Sequence, residues 1–273
     1  MGVLVKTLIG MYSTLLVVPA WSETRAEESL VVSIAAPDYW CPYACDLSGS
    51  RSGFTVDIVR FALESGGHRV VYQNLPYDRA LFEARRGRID AVLPTFREEA
   101  PDVIFPSQAV SLTEYCFYVS EDEPWRYDGL DSLKNRQFVA TSGYSYGNDM
   151  DAYISENLDK RVTLIQGNGV SGRLRELVRR KRFDALLDDR LLFEFSQDST
   201  GLSNAGCLVE RHDGYLALSP ENPDRSNTIA RAFDGGIKDM REDGQLCEIL
   251  EDYGLGLGGT GTGRLFGCSP VSD

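Results

Sequence analysis

The chain has 273 residues, enough for one large or two medium domains with a substantial core. Hydrophobic residues at 42%, aromatics at 10% and charged residues at 25% are ordinary for a folded protein and exclude a disordered or fibrous chain. The 41 Asp and Glu against 28 Lys and Arg give a net charge of −13, which argues against a nucleic-acid partner, and the two histidines leave a His-rich metal or catalytic centre almost no material.

At the start of the chain, Lys6 precedes an apolar stretch from Thr7 to Ala20, and Ala20-Trp21-Ser22 places small residues where a signal peptidase reads. A signal peptide over residues 1–22 is expected. The stretch is too short for a spanning helix and holds Tyr12, Ser13 and Thr14. The first cysteine is Cys41, so no lipid anchor is expected, and the mature protein is expected in an exported compartment, most simply a periplasm. Six cysteines in an oxidising compartment read as disulfides. Cys41 and Cys45, in WCPYAC, are predicted to bridge locally, against the alternatives of a metal half-site or two free thiols. Cys247 and Cys268 form a weaker candidate pair that would tie the Gly-rich tail, 255–273, to the last helix. Cys116 and Cys207 are left over, and the sequence does not pair them.

Past the signal, short apolar runs alternate with amphipathic stretches, the pattern of an α/β fold. The expected elements are a strand over 30–35, a helix over 54–65 stopped by Gly66-Gly67, a strand over 70–73, a helix over 78–86 closed by Gly87, and a strand over 89–93. Residues 115–119 begin the connection onward, and the polar stretch over 120–132 reads as a linker and the entry to a helix. A second set follows: strands over 138–141, 162–165 and 185–187 interleaved with helices over 148–158 and 172–181. A strand over 213–219 and helices over 226–240 and 245–253 close the chain. The basic run from Arg173 reads as the solvated face of a helix.

GYSYG, Gly143 to Gly147, matches the Gly-x-Ser-x-Gly nucleophile elbow, with Asp189 and His212 following in the order of an α/β-hydrolase. No oxyanion segment is visible, and His212 is the sole downstream histidine. A helix start bearing Ser145 and bounded by glycines suits a second task, holding a carboxylate on backbone N–H groups without reacting.

Six segments, GFTVD at 53–57, GRIDAVLPT at 87–95, VIFP at 103–106, TSGYSYG at 141–147, RFDALLDD at 182–189 and the run from Gly214 to Gly254, occur in an order that resembles the periplasmic solute-binding proteins of the polar amino-acid type, family three of the bacterial extracellular solute-binding proteins. The resemblance covers nearly all of the mature chain. It implies an α/β, two-lobed periplasmic-binding-protein fold of type II with two crossover segments. Lobe one would hold 27–119 plus 212–254, and lobe two 120–211.

The resemblance also implies site residues. Trp40 and Tyr77 match aromatics that pack on the ligand, Thr95 a position that hydrogen-bonds it, Ser145 the hydroxyl that holds a carboxylate, and Asp189 the partner of an ammonium group. Arg97 matches the carboxylate clamp, although it stands eight residues before Phe105, a longer spacing than the family motif. Arg79 is a further cleft candidate, and Asp57 reads as structural. The implied protein is a non-enzymatic, cofactor-free, metal-free monomer that captures an amino acid or related carboxylate for the membrane permease of an importer of the ATP-binding-cassette type. Two alternatives share the fold: a periplasmic enzyme, dehydratase-like or a serine hydrolase using Ser145, and a detached ligand sensor.

Overall fold

The computed structural model describes residue 2, residues 29–167, 169–196 and 198–255, and Cys268. The signal-peptide expectation over 1–22 and most of the 255–273 tail lie outside these residues. Among the described residues, no helix is long and apolar enough to cross a membrane.

The first lobe opens with β1 (Val31–Ala36), a two-residue hairpin of β2 (Tyr39–Trp40) and β3 (Ala44–Cys45), and α1 (Phe54–Ser65). It continues with β4 (Arg69–Asn74), α2 (Tyr77–Ala84) and β5 (Ala91–Thr95). The second lobe holds β6 (Ser111–Ser120), β7 (Phe138–Thr141), α3 (Asn148–Asn157), β8 (Val162–Ile165) and α4 (Val170–Arg179). It is completed by β9 (Ala185–Asp189), α5 (Arg190–Phe195) and the long β10 (Leu202–Leu218), after which α6 (Pro223–Glu242) and α7 (Gln245–Asp252) return to the first lobe.

The main strands form one sheet in the order β4-β1-β5-β10-β6-β9-β7-β8. β1, β4 and β5 are parallel in one half, and β7, β8 and β9 in the other. β10 joins the halves: it pairs antiparallel with β6 from Leu202 to Gly214 and with β5 from Tyr215 to Leu218. β5 and β9 are buried at every position, which is why AVLPT and ALLDD read as unbroken runs and not as alternations. Each half carries apolar cores, with Ile34, Val56, Leu63, Phe233 and Ile237 in the first and Phe117, Phe138, Met150 and Leu187 in the second.

β6 pairs antiparallel with β10 along its length and with β9 over Tyr115–Tyr118, so residues 111–119 run beside β10 where the two halves of the sheet meet. An apolar strand carries no mark of which sheet half it joins, so its register is settled by distant partners. The 213–219 strand is likewise only the end of the 17-residue β10. Cys116 and Cys207, opposite each other on β6 and β10, are bonded, as are Cys41 with Cys45 and Cys247 with Cys268.

Asp90, just before β5, fastens the first lobe. Its carboxylate accepts from the Ser33 N–H and hydroxyl, both at 2.8 Å, and from Arg225 Nε and Nη2 at 2.6 and 3.1 Å. Arg225 sits at the start of α6, whose N-cap is Asn222 with Pro223 following. Burial pushes the Asp90 carboxyl up, but the bonds from Arg225 and Ser33 outweigh it and hold the carboxyl below its ordinary value. Asp90→Ala removes an acceptor of charge-assisted bonds and is expected to lower stability by about 2 kcal/mol in urea unfolding at pH 7. A depressed carboxyl contributes stability above its unfolded value and loses it as pH falls through the folded one. The gap between parent and variant should therefore narrow below about pH 4.

Candidate functional site

The candidate residues gather where strands of both lobes end. Trp40 follows β1, Thr95 ends β5, Ser145 follows β7 and Asp189 ends β9. In parallel α/β sheets the carboxyl ends of strands frame the ligand crevice, because the loops there are free of sheet hydrogen bonding.

The loop bearing Trp40 is held by several independent ties. The Cys41–Cys45 bond closes it. Two carbonyls of the same loop cap α1 in place of a side chain: the Phe54 N–H donates to Pro42 O at 2.9 Å, and the Thr55 N–H and hydroxyl donate to Tyr43 O at 3.2 and 2.8 Å. Gly53, at φ 107°, lets these backbones meet, and its N–H donates to the Tyr253 hydroxyl at 2.9 Å. That hydroxyl donates in turn to Asp57 at 2.6 Å, in keeping with the structural role read for Asp57.

From this loop, hydrogen bonds reach across to the other half of the molecule. Trp40 Nε1 donates to the Tyr144 hydroxyl at 2.7 Å, and the Tyr43 hydroxyl donates to Asp189 Oδ2 at 2.9 Å. Trp40, Tyr43, Phe96, Tyr115 and Tyr144 wall a small box with Asp189, Thr113 and Pro94. Ring centroids of Trp40 stand 5.9–6.2 Å from those of Tyr43, Tyr77 and Tyr144.

Asp189 is 4% exposed and also caps α5, accepting from the Leu192 N–H at 2.9 Å. Burial pushes its carboxyl up to about 7, against the lowering effect of the Leu192 and Tyr43 bonds. Asp188 beside it is raised to about 6 by burial despite Arg175 at 3.7 Å on the far side. Burial, with Asp189 adjacent, also raises the Tyr43 phenol well above its ordinary value, so Tyr43 donates as a neutral hydroxyl.

Across Phe96 lies a larger cavity of about 280 Å³, lined by Arg97, Glu98, Glu99, Ser145, Glu210 and His212 among others. Here the hydrogen bonding departs from the roles implied by resemblance. Arg97 donates to Pro106 O at 2.8 Å, with its guanidinium 4.1 Å from the Tyr215 ring centroid and 5.0 Å from that of Phe105. Ser145 Oγ donates to Asp151 Oδ2 at 2.7 Å, and the Tyr146 N–H donates to Asp151 Oδ1 at 2.8 Å. The donors at this helix start thus serve the carboxylate of the helix's own first turn. His212 Nε2 is buried and makes no hydrogen bond among the described residues, so no Ser145–His212 couple forms.

Tyr77 packs beside Trp40 and donates to Glu99 Oε2 at 2.7 Å, with the Thr95 side chain close to the same phenol. Arg79 is turned away, paired with Glu83 and laid over Phe82. Sequence reasoning passed over Tyr43, Phe96, Tyr115 and Tyr144. Two of these stand one to three residues from chosen positions in WCPYAC and GYSYG, so aromatic content at strand ends was the available signal.

No protein-family model matches the sequence, and none of the curated proteins matches it. Solved structures do. A probable amino-acid ABC transporter extracellular-binding protein from Bacillus subtilis superposes with a TM-score of 0.68 at 13% identity, over 83% of this chain and 98% of that one. A histidine kinase sensor domain with similarity to periplasmic binding proteins gives 0.64 at 16%, over 84% and 96%. The L-cystine solute receptor of Neisseria gonorrhoeae, in its unliganded open conformation, gives 0.61 at 17%, over 84% and 94%. With its single sheet shared between two halves and its aromatic box at the strand ends, the chain has the two-lobed α/β fold of periplasmic binding proteins over most of its length.

Proposed function

We propose that the protein is a non-enzymatic, exported solute-binding protein that encloses a small polar solute between its lobes and presents it to the membrane permease of an ATP-binding-cassette importer. The fold is then the type II form with two crossover segments, the location a periplasm, and Trp40, Tyr77, Thr95, Arg97, Ser145 and Asp189 belong to the ligand cleft. The observation that carries this reading is the buried Asp189 on the wall of an aromatic box between the lobes. Aromatic faces desolvate a small ligand, and a carboxylate in such a place gains most from an ammonium partner. The commitment of the Ser145 hydroxyl to Asp151 speaks against the hydrolase alternative. The similarity to a sensor domain keeps ligand sensing as a second use of the same cleft.

A thermal-shift screen of amino acids, amines, organic acids and sugars tests the proposal. A ligand at 100 times its dissociation constant should stabilise the protein by about 2.7 kcal/mol. Asp189→Ala should then weaken a hit bearing an ammonium group by about 30-fold or more in calorimetric titration, because the cation loses its desolvated partner. Binding within twofold of the parent would remove Asp189 from that role.

A further inference from the structure

The two ends of the cleft are unequal. At one end Asp189 is buried, and among the described residues no cation is prominent in setting its ionisation. At the other, the groups implied to hold a carboxylate have protein partners: Arg97 Nη2 donates to Pro106 O and its guanidinium lies against two rings, and Ser145 and the Tyr146 N–H donate to Asp151. The cavity between them is acidic: Glu98, Glu99, Glu210 and Asp213 line it against Arg97 and Arg211, and Arg211 is paired with Glu114. Burial pushes the Glu99 carboxyl up as well, although Tyr77 and the Phe96 N–H donate to it.

We propose, building on the solute-binding function above, that the cleft is made for an amine without a carboxylate: its ammonium head enters the aromatic box at Asp189, and its chain, with any second cationic group, lies along the acidic cavity.

Four observations support this. The box holds about 10 Å³, which suits a group the size of water or a primary ammonium. Its rings offer negative faces to a cation, with Trp40 the strongest such surface. A carboxylate in the larger cavity would meet four acidic side chains against two arginines, one of them paired with Glu114, and like-charge juxtaposition in a desolvated site is strongly unfavourable. The net charge of −13 steers cations toward the molecule and anions away from it.

The test uses matched pairs that differ by the α-carboxylate: putrescine and ornithine, cadaverine and lysine, agmatine and arginine. Each is titrated calorimetrically into the mature protein at pH 7.5 and into Asp189→Asn, with circular dichroism as the folding control. The amine of at least one pair is expected to bind at least tenfold tighter than its amino acid and to lose about 30-fold or more in the variant. If the amino acid is the tighter member wherever binding occurs, the amine proposal is overturned and solute binding stands. The amine proposal is overturned in the same way if none of the six binds while the screen yields another solute. If nothing in the screen binds, both proposals fail.

Discussion

Asp189→Asn is expected to make the unliganded protein more stable at pH 8 while weakening its affinity for an ammonium-bearing solute by about 30-fold or more. The carboxyl is raised by burial to about 7, against an ordinary value near 4 in the unfolded chain. A raised carboxyl binds more protons folded than unfolded, so its contribution to stability falls as pH climbs from about 4 to about 7. A rise of that size corresponds to about 4 kcal/mol of ionisation penalty above that window. Asn keeps an oxygen for the Tyr43 or Leu192 donors and carries no charge, so it escapes the penalty. Among the groups facing Asp189, the charge of Asp188 adds to the penalty, while the bonds from Tyr43 and the Leu192 N–H offset part of it. Urea unfolding of parent and variant from pH 4 to pH 8 should show a gap growing toward the variant by about 2–4 kcal/mol. A gap that stays constant across the range would mean that Asp189 carries no such penalty. A residue that destabilises the empty protein and is needed for the filled one belongs to function, because binding energy alone can justify it.

Gly53→Ala is expected to destabilise the first lobe strongly. A Cβ there would lie 2.3 Å from Tyr43 O and 2.5 Å from Ala44 Cα, backbone atoms that cannot swing aside. The residue also holds φ 107° and ψ 141°, a conformation that L side chains rarely adopt. Overpacking and backbone strain together amount to about 4 kcal/mol, or a fall of roughly 10 °C or more in Tm. Because the clash falls on the loop that carries Trp40 and Tyr43, residual folded protein should also bind its solute poorly. Gly235→Ala is the control: it is helical, a Cβ there meets nothing within 4 Å, and the change should be neutral or stabilising by up to about 1 kcal/mol. Differential scanning calorimetry separates the two outcomes, and a Gly53→Ala variant melting within about 3 °C of the parent would overturn the close-approach account.

Much of the architecture was legible in the chain itself. The alternation of apolar runs with amphipathic stretches ended by glycine located α1, α2 and most strands within a few residues, because burial on one face leaves its period in the sequence. The WCPYAC spacing pointed to the Cys41–Cys45 bond over a metal half-site or free thiols, since cysteines four apart around a proline turn are close enough to bridge. Trp40, Thr95, Ser145 and Asp189 were named by the family resemblance and not by local pattern, and the fold sets them at or a few residues beyond strand ends.

What the tertiary structure alone decided were the partners. The Cys116–Cys207 bond spans 91 residues and exists because β10 runs back along β6 in one register. The Tyr43–Asp189 hydrogen bond spans 146 residues and makes Asp189 a buried carboxylate on a cleft wall and not merely a cap. The hydrogen bonds of Ser145 to Asp151 and of Arg97 to Pro106 likewise belong to the fold, though all four residues were visible from the start. Local pattern records which face of an element is buried. Whether a given hydroxyl or guanidinium is free for a ligand depends on which distant segment reaches it first, and that competition is settled only when the two lobes and their loops are packed.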